Sequence, residues 1–269
     1  MSVVIKFIIA LFIGAMSLLT YWCNRQENPV TGENQHISMT VDQEIALGLQ
    51  AAPQMAAQYG GLHPDKAAAA KIKAIGNQLV TGAKVDKTPY KFDFHLLADE
   101  QTLNAFALPG GQIFITAGLA KQLTTDGQLA GVLAHEIGHV VARHSAEQLA
   151  KAQLTEGLSG AAAIAIYDPD NPTSAAGGVA AALIGQLMTL KFSREDELDA
   201  DQLAVKFTTE AGYHPRSLIK VMEVLARAAG RNKNTEFFQT HPNPGNRIAR
   251  IENAIRVQYG STLPSGLVK

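Results

Sequence analysis

A single cysteine, Cys23, stands in 269 residues. No intrachain disulfide can form, and the redox state of the compartment leaves no imprint on cysteine pairs. An excess of charge is also missing: 23 Lys and Arg against 24 Asp and Glu give a formal net charge of -1. Such a balance supplies no basic field to gather phosphates, so nucleic acid is not an expected partner. No internal repeat at a fixed period is present, which excludes a solenoid arm. What remains is 46% hydrophobic and 17% charged, a globular composition on a chain long enough for one substantial core, and one main domain is expected.

The amino terminus differs from the rest. Phe7 to Trp22 runs without a charge, and extending it back through Val3, Val4 and Ile5 makes it long enough to span a bilayer if Lys6 snorkels to the interface. Tyr21 and Trp22 lie where an aromatic anchor would sit. A lysine before the run and the polar NRQENPVTGENQ after it favour a signal-anchor or signal peptide over a core helix. Bulky Tyr21 and Trp22 fit poorly before a lipidated cysteine, so an uncleaved anchor leads and a lipoprotein through Cys23 is the alternative. The expected organisation is residues 1–22 as anchor or signal, 23–39 as linker and 40–269 as one folded domain.

Within that domain, Thr40 and Gln43 resemble a capping box opening a helix, with a kink or break expected at Pro53. A second helix should start at Asp65. KFDFHLLAD, residues 91–99, alternates as a half-buried strand with His95 on its polar face. NAFALPGGQIFITAG, residues 104–118, reads as two strands around a Pro109-Gly110-Gly111 turn. A long helix is expected from about Thr125 to about Gln153. Residues 157–190 are rich in Ala and Gly, but YDPDNPTS interrupts them, and each apolar half is too short to span a membrane, so a flexible loop and a buried helix are expected. Three more helices should follow, in REDELDADQLAVKFTTEAGY, from Pro215 and from Asn243.

The chemistry is concentrated in VLAHEIGHVVARHS, residues 132–145. On a helix His135 and His139, four apart, project from one face and can grip one cation. Glu136 can reach a water on that cation, the division of labour of an HExxH metallopeptidase. Two imidazoles and a carboxylate in a run of Val132, Leu133, Ile137, Val140 and Val141 are costly to bury unless they coordinate or pair. Zinc, one per subunit, is the expected cofactor, and a catalytic zinc takes a third protein ligand. His144 lies about 180° round a continuous helix from His135 and is expected to face away. The acidic cluster Glu195, Asp196, Glu197, Asp199 and Asp201 is the remaining source, and spacing alone does not separate Glu197 from Glu195.

HEIGH followed by FSREDELDAD resembles the gluzincin-type zinc peptidase family that includes HtpX, the CAAX prenyl endopeptidases and the mitochondrial Oma-type protease. The resemblance extends through NAFALPGG and THPNPGNRI, and NPVTGE is familiar from compact periplasmic bacterial members such as LoiP. It implies an α+β, mainly helical zincin-like fold with a small β-sheet beside the HExxH helix. Glu197, Ala200 and Asp201 match the family's E-x-x-A-D, implying Glu197 as third ligand and Asp201 as the carboxylate that orients a ligand histidine. No multi-span membrane domain or helical-repeat domain is expected, so a CAAX substrate is not.

These readings converge on a metalloendopeptidase of the bacterial cell envelope, membrane-anchored, facing the periplasm and cleaving misfolded or membrane-associated polypeptides. Glu136 is the expected base. His241 is expected to steady the oxyanion or cap the zinc at rest, and Arg247 to orient His241 or a substrate carbonyl. Gln112, Ile113, Phe114 and Ile115 are the expected strand edge for a peptide substrate. The competing reading is a metal-stabilised envelope chaperone or assembly factor without turnover.

Overall fold

A computed structural model describes residues 3–28, 30–166, 179–230, 235–242, 245–260 and 262–269. In chain order come α1 (Val3–Cys23), β1 (Arg25–Glu27), β2 (Asn34–His36), α2 (Val41–Gln58) and α3 (Lys66–Gly82). A short 3-10 turn leads into β3 (Asp93–Leu97), β4 (Ala105–Ala107), β5 (Gln112–Thr116) and the single-turn α4 (Ala117–Ala120). The remainder is helical: α5 (Asp126–Val141), α6 (His144–Ile166), α7 (Val179–Met188), α8 (Arg194–Glu210), α9 (Ser217–Ala229), α10 (Phe237–Thr240) and α11 (Arg247–Tyr259). The class is α+β and mainly helical, with a small sheet packed against the helix that carries HEIGH.

Two compact units emerge, residues 1–40 with 145–190, and residues 41–144 with 191–269. Sequence alone placed everything from residue 40 onward in one domain, whereas 145–190 clusters with the amino-terminal segment. In this first unit α1 has 21 residues, about 31 Å of helix against a hydrocarbon core of roughly 30 Å. Its apolar side chains point outward: Leu11 is 76% exposed and Phe12 65%, the opposite of a core helix. β1 and β2 pair antiparallel. Asn28 shapes the turn between them, its side-chain oxygen accepting from the backbone N–H groups of Val30 and Thr31 at 2.8 and 3.2 Å. Asn28 thus has a mechanical role in this turn. The helix expected in the second half of 157–190 is α7, and the YDPDNPTS stretch lies outside the described residues.

The second unit is built around α5, in which every residue from Leu129 to Val141 is buried. Thr125 and Gln128 start it with a reciprocal capping box, satisfying donors that the first turn would otherwise leave unmet. Asp65 caps α3 through the N–H groups of Ala67 and Ala68. Helices α3, α8 and α9 pack on α5, with Ile72, Ile75, Leu79, Leu133, Ile137, Val205, Phe207 and Leu225 among the core residues. Pro53 lies inside α2 without ending it. The buried face formed by Leu47, Gly48, Ala51 and Met55 spans the proline and outweighs the loss of one backbone bond.

Two expectations change here. The strand Gln112–Thr116 is not an edge. β5 pairs in parallel with β3 on one side and antiparallel with β4 on the other, so the backbone groups of Gln112, Ile113, Phe114 and Ile115 are already engaged and cannot receive a peptide. The hairpin was legible through its turn, where Gly110 and Gly111 adopt φ of +82° and +112°, conformations that suit glycine. The parallel partner β3 was not.

The helix expected to run to about Gln153 instead breaks after Val141, because Arg143 takes a left-handed φ of 59°. That costs a non-glycine residue about 1–2 kcal/mol and needs a compensating contact. Arg143 Nε donates to Glu44 Oε1 on α2 at 2.8 Å, and both side chains are buried. Burial pushes the Glu44 carboxyl up to about 7 even with the guanidinium beside it. Removing the carboxylate leaves a cation that cannot shed its proton. Glu44→Met is therefore predicted to cost about 3–5 kcal/mol in urea unfolding, and a loss no larger than that of a surface substitution contradicts the assignment.

Candidate metal centre

His135 and His139 project from α5, and Glu197 and Asp201 from the facing turns of α8. The two helices approach closely because Gly138 has no side chain: a Cβ there would sit 3.1 Å from the Ala200 carbonyl oxygen and 3.2 Å from its Cα. Ala200 lies between Glu197 and Asp201, so this contact sets the depth at which both carboxylates meet the imidazoles. The capping box of α8, in which Ser193 and Asp196 exchange hydrogen bonds, fixes the start of that helix. It also removes Asp196 from contention as a ligand, and Glu195 points to solvent. The structure separates Glu197 from Glu195, which spacing could not do.

The donor atoms converge. His135 Nε2 and His139 Nε2 are 3.1 Å apart, and they lie 3.5 and 3.3 Å from the two Glu197 oxygens. His241, at the end of α10, brings Nδ1 to 2.9 Å from Glu197 Oε1 while its ring stacks on Phe237 at 4.3 Å. Ligand atoms of His135, His139, Glu197 and His241 all lie within 4.8 Å of one another, and all four residues are buried. Asp201 Oδ1 is 3.0 Å from His135 Nδ1, placing that proton on the far side of the ring and the Nε2 lone pair toward the other donors.

The electrostatics follow from burial and one arginine. Arg247, at the start of α11, is 1% exposed, bonds Asp201 at 2.6 and 2.8 Å and pairs with Glu197 Oε2 at 2.8 Å. Its guanidinium is taken up as the counter-charge of two buried carboxylates, rather than left free to orient His241 or a substrate carbonyl. Burial opposes ionisation of Glu197, but His241 and Arg247 hold its carboxyl well below the usual range. Arg247 likewise outweighs burial at Asp201. Burial holds His139 well below its ordinary value, keeping it neutral. Burial and Arg247 push His135 down, yet hydrogen bonds that its ring donates to Asp201 and Glu197 prevail and raise it to about 9. A cation bound there releases that proton.

A zinc ion fits this donor set. Two imidazoles and a carboxylate are ordinary zinc ligands, and the two Nε2 atoms, 3.1 Å apart and now sharing a proton, are both free to face a cation once that proton leaves. Glu136, fully buried, has two carboxylate oxygens without a hydrogen-bond partner among the described residues, and burial raises its pKa. Such a group is expensive to leave unmet. Its Oε1 is 3.7 Å from His241 Nε2, and it flanks the donor set without joining it.

Three neighbours of His139 are not expected from sequence to stand where they do. Phe192 stacks on His139 with ring centroids 3.9 Å apart. His144 and Asp199 lie behind the same ring. Their signal was present as a histidine five positions beyond His139, hidden by the assumption of a continuous helix.

Comparisons with known proteins agree with this geometry. Residues 66–255 match the model of peptidase family M48. The chain is 29% identical over 229 residues to a beta-barrel assembly-enhancing protease of Yersinia pestis, covering 84% of this chain and 46% of that protein. It is 28% identical over 238 residues to the mitochondrial metalloendopeptidase OMA1 of Schizosaccharomyces pombe, covering 86% and 67%. Against the OMA1 of Saccharomyces cerevisiae the figures are 29% over 258 residues, 90% and 72%. The chain thus spans about half the length of the beta-barrel assembly-enhancing proteases it matches.

Zinc at about 100 times its dissociation constant should stabilise chelator-treated protein by about 2.7 kcal/mol, a rise in thermal midpoint of roughly 5–10 °C. Glu197→Ala should abolish most of that rise. A midpoint indifferent to zinc in the unaltered protein contradicts the site.

Proposed function

The chain belongs to peptidase family M48, and on that premise we propose that it is a zinc-dependent endopeptidase acting on misfolded or membrane-associated polypeptides of a bacterial cell envelope. His135, His139 and Glu197 are the residues that would hold the ion. Bound there, zinc supplies Lewis acidity, polarising the scissile carbonyl and lowering the pKa of a water to about 7. Glu136 takes the proton of the attacking water and returns it to the departing amine. Asp201 keeps the His135 tautomer fixed, and Arg247 keeps Glu197 and Asp201 ionised. His241, 3.7 Å from Glu136, is the residue that would steady the developing oxyanion or cap the metal at rest.

The observation that carries this reading is Glu136: a buried carboxylate with open lone pairs, one residue from a metal-donor histidine. A purely structural metal has no use for such a base, which disfavours a chaperone that has lost turnover. The α1 segment, exposed and long enough to cross a bilayer, supports anchorage with the catalytic unit in the periplasm.

Casein digestion by carbonate-washed membranes carrying the protein tests both parts. Activity should stay with the membranes, vanish with a chelator, return with zinc, and fall by a factor of about 10² or more in Glu136→Gln while zinc remains bound. Undiminished proteolysis by Glu136→Gln refutes the mechanism, and release of the protein by carbonate refutes the anchor.

A further inference from the structure

The left-handed turn at Arg143 has a chemical consequence for the metal site. It folds the start of α6 back toward α5, so His144 is buried at 2% exposure with its Nδ1 2.9 Å from His139 Nδ1. On its other side, His144 Nε2 lies 3.3 Å from Asp199 Oδ2 of α8, an electrostatic approach rather than an aligned hydrogen bond. We propose that His144, with the Asp199 carboxylate at its far nitrogen, is a positioning residue for the metal ligand His139, acting through the His139 Nδ1 proton.

The argument is one of tautomers. His139 Nε2 is the nitrogen among the donors, 3.1 Å from His135 Nε2 and 3.3 Å from Glu197 Oε1. For Nε2 to offer its lone pair to a cation, the proton of a neutral His139 must sit on Nδ1. That nitrogen faces His144 Nδ1, which must then accept, so the proton of His144 resides on Nε2. A carboxylate facing that Nε2 favours this arrangement, and Asp199 is the carboxylate there. The chain Asp199, His144, His139 thereby orients one ligand ring as Asp201 orients His135. Phe192, stacked on His139 at 3.9 Å, fixes the ring plane but has no polar atom to choose the tautomer. Partners behind a ligand histidine typically govern metal affinity by about 10–100-fold.

This inference rests on the zinc reading above, and zinc affinity of the full-length protein tests the two separately, measured by competition with a chromophoric chelator. His144→Ala should bind zinc about 10–100-fold more weakly than the unaltered protein. His144→Asn should recover to within about threefold, since its amide oxygen can accept from His139 where the imidazole Nδ1 did. Equal affinity in a folded His144→Ala, or equal weakening in the Ala and Asn variants, overturns the proposal. If His144→Ala does not fold, Asp199→Ala decides, because Asp199 retains 25% side-chain exposure: weakened zinc binding supports the relay and unchanged binding overturns it. An unaltered protein that binds no zinc overturns the metal centre itself.

Discussion

Everything in the catalytic unit depends on compensating charge in a dry interior. Helices α5 and α8 bring two imidazoles and three carboxylates into a space where none is more than 2% exposed at the side chain. In a low dielectric, isolated charges of this kind are costly enough to neutralise or unfold the structure. Arg247 meets the cost for Glu197 and Asp201, and its charge survives burial because those carboxylates hold its proton more firmly than usual. The remaining donors point inward at one another, an arrangement that calls for a cation.

The same logic extends outward in shells. Behind His135 stands Asp201, behind His139 stands His144, and behind Glu197 stands Arg247. Asp201 comes from α8 and Arg247 from α11, both distant in sequence from the ligands they back, whereas His144 comes from the start of α6, five residues beyond His139. The buried Glu44–Arg143 pair holds the backbone turn that delivers His144. Metal chemistry and fold stability are therefore not separable in this unit, since the contacts that orient the ligands also dock the helices.

Much of this could be read from residues alone, for identifiable reasons. The i, i+4 spacing of His135 and His139 fixes their common face wherever a helix forms, and the apolar residues between them guarantee a buried one. Glu197 and Asp201 share a face by the same arithmetic, but choosing Glu197 over Glu195 required knowing which side of α8 meets α5. His144 reads as facing away because the break at Arg143 carries no local signal such as glycine, and the Glu44 contact that accompanies it lies 99 residues away. The strand Gln112–Thr116 was taken for an edge because its hairpin partner β4 is local, whereas its parallel partner β3 pairs across an intervening strand. Arg247 reads as orienting His241 or a substrate carbonyl for a related reason: nothing in THPNPGNRI reveals that two carboxylates on another helix already claim its guanidinium.

The most direct measurement is X-ray absorption at the zinc edge of zinc-loaded protein. The account predicts a shell of nitrogen and oxygen ligands at about 2.0–2.2 Å, with outer scattering from at least two imidazoles that diminishes when His135 or His139 is replaced. A sulfur shell, a purely oxygen shell without imidazole scattering, or a spectrum unchanged by those replacements would contradict it.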